Sequence, residues 1–216
     1  MLIDHASLWL AETNCWVIAP EKGGPAVVID APPDSEGVAG LLARHDLYPA
    51  ALLLTHAHVD HFGAVGAASG GGSAAVYLHP DDTWLAADPL AQLRSMWGMT
   101  PPGDYEQPDR FHDLEHGMRI DAGGVAVDVV HTPGHTPGHC CFHVPDQEVL
   151  FSGDQLFAGS IGRTDLPGGD TAALMRSMAE RVVTLPPQTK VLPGHGPATT
   201  LARELESNPF LQALPT

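Results

Sequence analysis

The sequence predicts an α/β protein in which two β-sheets face each other and helices cover their outer sides. Three observations carry this reading. Short apolar, strand-like runs fall into two series, and each series is followed by segments of helical spacing. Several of these runs end in tight turns rich in Gly and Pro. No period of about 20 to 50 residues repeats, which argues against a solenoid.

Taken in order, residues 8–10, 15–19 and 26–30 read as strands, the last two separated by the turn Lys22-Gly23-Gly24-Pro25. Residues 35–44 read as a helix, because Asp34 or Ser35 can cap it and Val38, Leu41 and Leu42 share one face. The apolar run 51–55 has strand length and feeds directly into a cluster of histidines. A short helix then ends at Gly70-Gly71-Gly72, and 74–78 is another strand. Residues 80–113 contain Trp84, Trp97, Pro101, Pro102, Tyr105 and Pro108 in weakly periodic sequence. They read as a helix followed by an irregular excursion outside the sandwich and bordering its site. Residues 125–131, 140–144 and 149–152 are strand-like again. The clearest helix is 172–185, with Leu174, Met175, Met178, Val182 and Leu185 on one stripe and Asp170 or Thr171 as cap. A last strand at 190–192 and a terminal helix at 201–205 complete the reading.

The chain of 216 residues suits a single domain, 1–216, large enough for a core without disulfide staples. No apolar run approaches the roughly 18 residues of a membrane span, and no leader is visible at the start. The three cysteines, Cys15, Cys140 and Cys141, form a poor disulfide framework and fit a reducing, cytoplasmic setting. Cys140 and Cys141 are expected to split across the two faces of a strand as small buried hydrophobes. A net charge of −16 works against nucleic acid as a partner, because such binders replace counterions with Lys and Arg.

The chemistry concentrates in Thr55-His56-Ala57-His58-Val59-Asp60-His61. Continued strand alternation would send His56 and His58 to one side, and a turn into a helix would re-aim Asp60 and His61 to a second point. Imidazole and carboxylate together suit zinc, with iron or manganese as alternatives. Three later segments repeat one habit, a strand-like run ending in a small-residue turn with one candidate ligand: Pro133-Gly134-His135, Ser152-Gly153-Asp154 and Pro193-Gly194-His195. Glycine before the ligand lets the backbone turn sharply and approach closely.

On these residues the sequence resembles the metallo-β-lactamase superfamily. Its H-x-H-x-D-H motif is matched by His56, His58, Asp60 and His61, and its later motifs by His135, Asp154 and His195, in order. The resemblance implies a four-layer αββα sandwich with the metal site at one edge between the two sheets. It also implies two divalent metal ions: His56, His58 and His135 on the first, Asp60, His61 and His195 on the second, and Asp154 bridging. A narrower resemblance, to type II glyoxalases of the compact bacterial kind, rests on Gly153-Asp154-Gln155-Leu156-Phe157, on Gly159 through Asp165, and on Leu192 through Gly196. Only 21 residues follow His195, so the helical C-terminal substrate domain of the longer enzymes is expected to be missing.

The implied activity is hydrolysis of 2-hydroxyacyl thioesters of glutathione or a similar small thiol. Two metals roughly 3.5–4 Å apart can share a hydroxide as nucleophile, with Asp60 orienting it. A thiolate leaves with little help, since a free thiol has a pKa of about 8.5. Arg163 is the guanidinium nearest the site in sequence; it either clamps a substrate carboxylate or pairs internally with Asp165 or Asp170. His139 and His143 read as core or surface residues; His131, in the turn leading to His135, is open between an ordinary role and a supporting one behind the ligands, with the ordinary role favoured. The runner-up is a persulfide dioxygenase-like enzyme, whose single iron would use the positions of His56, His135 and Asp154. A β-lactamase is disfavoured by the cytoplasmic reading and a ribonuclease by the charge. A metal-binding module without turnover is disfavoured because structural zinc sites are usually closed by four ligands.

Overall fold

A computed structural model describes residues 1–214, the side chain of Trp97 excepted. Its first six-stranded sheet has the order β1 (Leu2–Leu8), β2 (Thr13–Ala19), β3 (Gly24–Ile29), β4 (Leu47–Leu53), β5 (Ala75–Leu78), β6 (His112–Asp113). Strands β1 to β3 pair antiparallel and β3 to β6 pair parallel. The second six-stranded sheet comprises β7 (Arg119–Ala122), β8 (Val125–His131), β9 (Cys140–Val144), β10 (Val149–Gly153), β13 (Lys190–Pro193) and β14 (Thr199–Thr200). Between β10 and β13 in sequence, β11 (Leu156–Phe157) and β12 (Ser160–Ile161) form a separate two-stranded hairpin.

Strand alternation distributes the apolar residues over three layers of core. In β2, Trp16 and Ile18 face the inter-sheet layer, where they join Leu53 and Phe142, while Cys15 and Val17 face the opposite side. That outer layer packs under α1 (Ser35–Ala43), α2 (Val59–Phe62) and α3 (Val65–Ala68) through Val38, Leu41, Phe62 and Val65. After α4 (Thr83–Ala86) and α5 (Pro89–Trp97), the remaining helices cover the second sheet. There Cys141, Leu150 and Val191 meet Leu174 and Met178 from α6 (Thr171–Ser177) and its π-type continuation Met178–Val182. Leu201 of α7 (Leu201–Ser207) and Leu211 of α8 (Pro209–Gln212) close that layer. The result is the αββα sandwich, and Cys140 and Cys141 do split between its layers.

The departures from the sequence reading have local causes. The first strand runs over Leu2–Leu8 rather than 8–10; as a half-exposed edge strand it carries Asp4 and His5, which disguise its alternation. Strand β4 begins at Leu47, four residues before the apolar run, and accommodates Pro49 at a register shift opposite Ala26/Val27. The expected helix 172–185 is α-helical only to Ser177 before its π turn. The short strands β7 and β14 lack an apolar pattern long enough to read. Among the described residues, no helix is long and apolar enough to cross a membrane.

Candidate metal centre

The seven candidate ligands, drawn from the ends of four strands and the helix turn that follows the first, converge at one end of the two sheets. His56 and His58 lie in the connection after β4, Asp60 and His61 in the first turn of α2, His135 after β8, Asp154 after β10 and His195 after β13. The chain has already left strand conformation at His56 and His58, so their convergence comes from the loop and not from alternation.

Two clusters result. His56 Nε2, His58 Nδ1 and His135 Nε2 lie 2.9 to 3.2 Å from one another, with their rings crossed at 84 to 88°. Nearby, His61 Nε2, His195 Nε2 and Asp60 Oδ2 are separated by 3.2 to 3.5 Å. Asp154 stands between them: Oδ1 is 3.4 Å from His61 Nε2, and Oδ2 is 3.4 Å from His135 Nε2. Crossed rings aim in-plane lone pairs at a common point, the arrangement a cation needs. Asp154 Oδ1 is buried with no hydrogen-bond partner. A buried carboxylate oxygen without a donor is costly, and it faces the imidazoles. This donor set fits divalent cations.

The distal ring nitrogens fix the tautomers. His61 Nδ1–H donates to Asp30 Oδ2 at 2.8 Å, and His135 Nδ1–H to the Arg163 carbonyl at 2.7 Å. Thr55 Oγ1 donates to Asp30, so His56 Nδ1–H donates to Thr55 Oγ1 at 3.0 Å. His56 and His135 therefore aim Nε2 inward as the free nitrogen, and His61 aims its Nε2 inward as the nitrogen that a cation would take in place of a proton. Thr13 Oγ1 donates to Asp60 Oδ2 at 3.1 Å. Glycine makes the close approach possible at two points: Gly153 has a φ of +48°, and a Cβ on Gly194 would lie 2.5 Å from Asp154 Oδ1.

The two clusters differ electrically. Burial, reinforced by neighbouring histidines, pushes His56 well below the usual imidazole range and His58 down to about 3, so these two imidazoles are neutral. At His61, burial acts in the same direction, but Asp154, Asp60 and Asp30 outweigh it and carry the group up to about 10. Burial would raise Asp60, yet His61 and His195 hold it below the ordinary carboxylate range. The second cluster therefore attracts positive charge strongly.

Three buried supports escaped the sequence reading. Asp30 accepts from Thr55 N, Thr55 Oγ1 and His61 Nδ1, each at 2.8 Å. It ends an apolar strand, the same habit as Asp154, and that signal was legible. Asp82 accepts from Ala57 N, Thr136 Oγ1 and Gly138 N, tying the loop of His56 and His58 to the loop of His135. His139 is buried; its Nε2 accepts from Asp154 N at 3.0 Å, and its Nδ1–H donates to Thr132 Oγ1. It is a core residue as expected, and it also braces the aspartate between the clusters. His131 stacks on His79 and reaches the Pro137 carbonyl.

A cavity of about 360 Å³ opens onto the clusters, and Arg163 stands on its wall. Arg163 Nε and Nη2 donate to the two oxygens of Asp165 at 2.7 and 2.8 Å. Asp170, the other candidate partner, caps α6 instead. The excursion does border this cavity, through Met96 of α5, whereas Tyr105 packs against the core under the first sheet. The side chain of Trp97 lies outside the described residues.

A family model described as the metallo-beta-lactamase superfamily matches residues 9–195. YqgX of Bacillus subtilis, named a probable metallo-hydrolase, is 38% identical over 83% of this chain and 84% of its own. GloC of Haemophilus influenzae, a hydroxyacylglutathione hydrolase, is 33% identical over 99% of both chains. Among solved structures, the BLEG-1 B3 metallo-beta-lactamase superposes with a TM-score of 0.87 at 38% identity, covering 98% of this chain and 100% of that one. TTHA1623 in a di-iron-bound form gives 0.85 at 42% identity over 96% and 100%. ETHE1 from Myxococcus xanthus gives 0.73 at 27% identity over 97% and 84%.

Proposed function

From the premise that this chain belongs to the metallo-beta-lactamase superfamily, a family of metal-dependent hydrolases, we propose that it is a binuclear thioester hydrolase. Its substrates are 2-hydroxyacyl thioesters of a small thiol, with zinc as the first assignment for both metals and iron or manganese as alternatives. The observation that carries the binuclear reading is Asp154, with one carboxylate oxygen 3.4 Å from a nitrogen of each cluster. Support for the substrate comes from GloC, similar over nearly its whole length. The three buried free cysteines suit the cytoplasm.

Bound cations would supply Lewis acidity toward the thioester carbonyl and acidify the attacking water. The chain's own residues supply position. His56, His58 and His135 would hold one ion, Asp60, His61 and His195 the other, and Asp154 both. Asp60 stays ionised and is steadied by Thr13, so it can accept a hydrogen bond from the attacking water or hydroxide and orient it. The water oxygen bonds to the carbonyl carbon and the C–S bond breaks, its electron pair leaving on sulfur. The products are the hydroxy acid, which ionises, and the thiol, which takes up a proton. A thiolate needs no dedicated general acid to leave. Arg163 and Asp165 together offer a paired donor and acceptor at the rim, where we assign Arg163 to substrate binding.

The test is a screen of thioesters, β-lactams and persulfides on protein purified without added metal and then reconstituted. Thioester hydrolysis that tracks the second equivalent of metal supports the reading. One iron per chain with sulfite production from a persulfide would replace it with the dioxygenase.

A further inference from the structure

The walls of the metal cavity are of two kinds, and together they say what kind of thiol fits. One side is the ligand set. The other is apolar, built from three separate segments: Met96 from α5, Phe157 and Ile161 from the β11–β12 hairpin, and Leu166 from the loop beyond it. The hairpin is held in place from behind. Glu204 of α7, buried, accepts from Gly159 N at 2.7 Å, and Asn208 Nδ2 donates to the Ser160 carbonyl at 3.1 Å. The hairpin's part of the apolar face is thus fixed, and Met96, which adds to it from α5, is 39% exposed.

Among the described residues that line the cavity, Arg163 is the one Lys or Arg. Its guanidinium is already committed edge-on to both oxygens of Asp165, a fork-to-fork pair with no net charge. The chain around it carries −16. A thiol with carboxylates finds no net positive charge in that pair and meets the Asp165 carboxylate beside the guanidinium. An uncharged thiol loses nothing there, and its amide groups can meet the pair's remaining donors and acceptors while an aliphatic arm covers the apolar wall.

We infer that the carrier is an uncharged, amide-bearing thiol with an aliphatic arm, lodged between the Arg163–Asp165 pair and the wall of Met96, Phe157, Ile161 and Leu166. This rests on the thioester reading and selects, within it, the class of thiol.

The experiment uses the metal-loaded protein and one 2-hydroxyacyl group on three carriers: glutathione, N-acetylcysteamine and N-hexanoylcysteamine. The kcat/KM for N-acetylcysteamine should equal or exceed that for glutathione. Each methylene that reaches the wall should add up to about 4-fold, appearing in KM. Met96→Ser should shrink the ratio between the long and short carriers. Asp165→Ala, which frees the guanidinium, should shift preference toward glutathione by about 5-fold or more, the size of a modest ionic contact. A wild-type preference for glutathione of tenfold or more, or a flat response to chain length, would overturn the inference and leave thioester hydrolysis standing. Turnover of none of the three would overturn the thioester reading and this inference with it.

Discussion

Asp30→Asn isolates what a buried carboxylate does for a metal ligand it never replaces. Asp30 sits at a φ of +60°, a conformation that Asn tolerates, so the backbone should hold. The carboxylate accepts three hydrogen bonds, each at 2.8 Å. An amide can keep the bond from Thr55 N, but its NH2 then faces Thr55 Oγ1 and His61 Nδ1. The hydroxyl can rotate to accept. The imidazole must lose its acceptor or move its proton to Nε2, the nitrogen aimed at the cluster. A hydrogen bond between charged groups contributes about 1.5–3 kcal/mol. Outer partners of metal-bound histidines are worth about 10- to 100-fold in affinity, which is roughly 1.4–2.8 kcal/mol. Competition against a chelator of known affinity, with elemental analysis, should show the second cation weakened by about 10- to 100-fold. The first cation, on His56, His58 and His135, should stay within about 3-fold, because Asp30 reaches that cluster only through Thr55 and His56. Equal weakening of both cations, or no weakening of the second, would refute the assignment of Asp30 to His61.

Further outcomes follow from the same geometry. His61 is held at about 10 without metal, above its ordinary 6.5, so it is protonated at pH 7. Its contribution to the stability of the metal-free protein is full below 6.5 and is lost as pH rises toward 10. A cation must displace that proton, so binding at pH 7 should release protons and strengthen with pH. Calorimetry in buffers of different ionisation heat reads the release, and its absence would contradict the charge account. His58 has the opposite sign: depressed to about 3, it costs the metal-free protein stability as pH falls from 6.5 toward 3, which acid titration of the melting temperature follows. Glu204→Ala strands three donors, from Gly159, Thr199 and Asn208. It should lower unfolding free energy by about 2–4 kcal/mol and raise KM while the metal count is unchanged; loss of metal would contradict the placement of α7 behind the hairpin.

What was legible in the chain was what short sequence patterns encode. The ligands sit at strand ends after glycine or in one dense motif, and the core strands alternate cleanly, as Trp16 and Ile18 against Cys15 and Val17 show. Edge strand β1 was hidden because an edge carries polar side chains on its open face. The supports Asp82 and Asn208 were illegible for a different reason. Their partners lie across the fold, 56 residues away for Gly138 and 48 for Ser160, and nothing local separates them from ordinary turn residues. The pairing of Arg163 with Asp165 rather than Asp170 was likewise open in sequence, since it turns on how one loop is bent.

The central claim is that two cations share Asp154. It is tested most directly by metal analysis of the reconstituted protein and of Asp154→Ala, with anomalous diffraction placing each ion. The account predicts two ions per chain, one carboxylate oxygen of Asp154 on each, and loss of one ion with nearly all turnover in the variant. A single ion held by His56, His135 and Asp154, or two ions retained in Asp154→Ala, would contradict it.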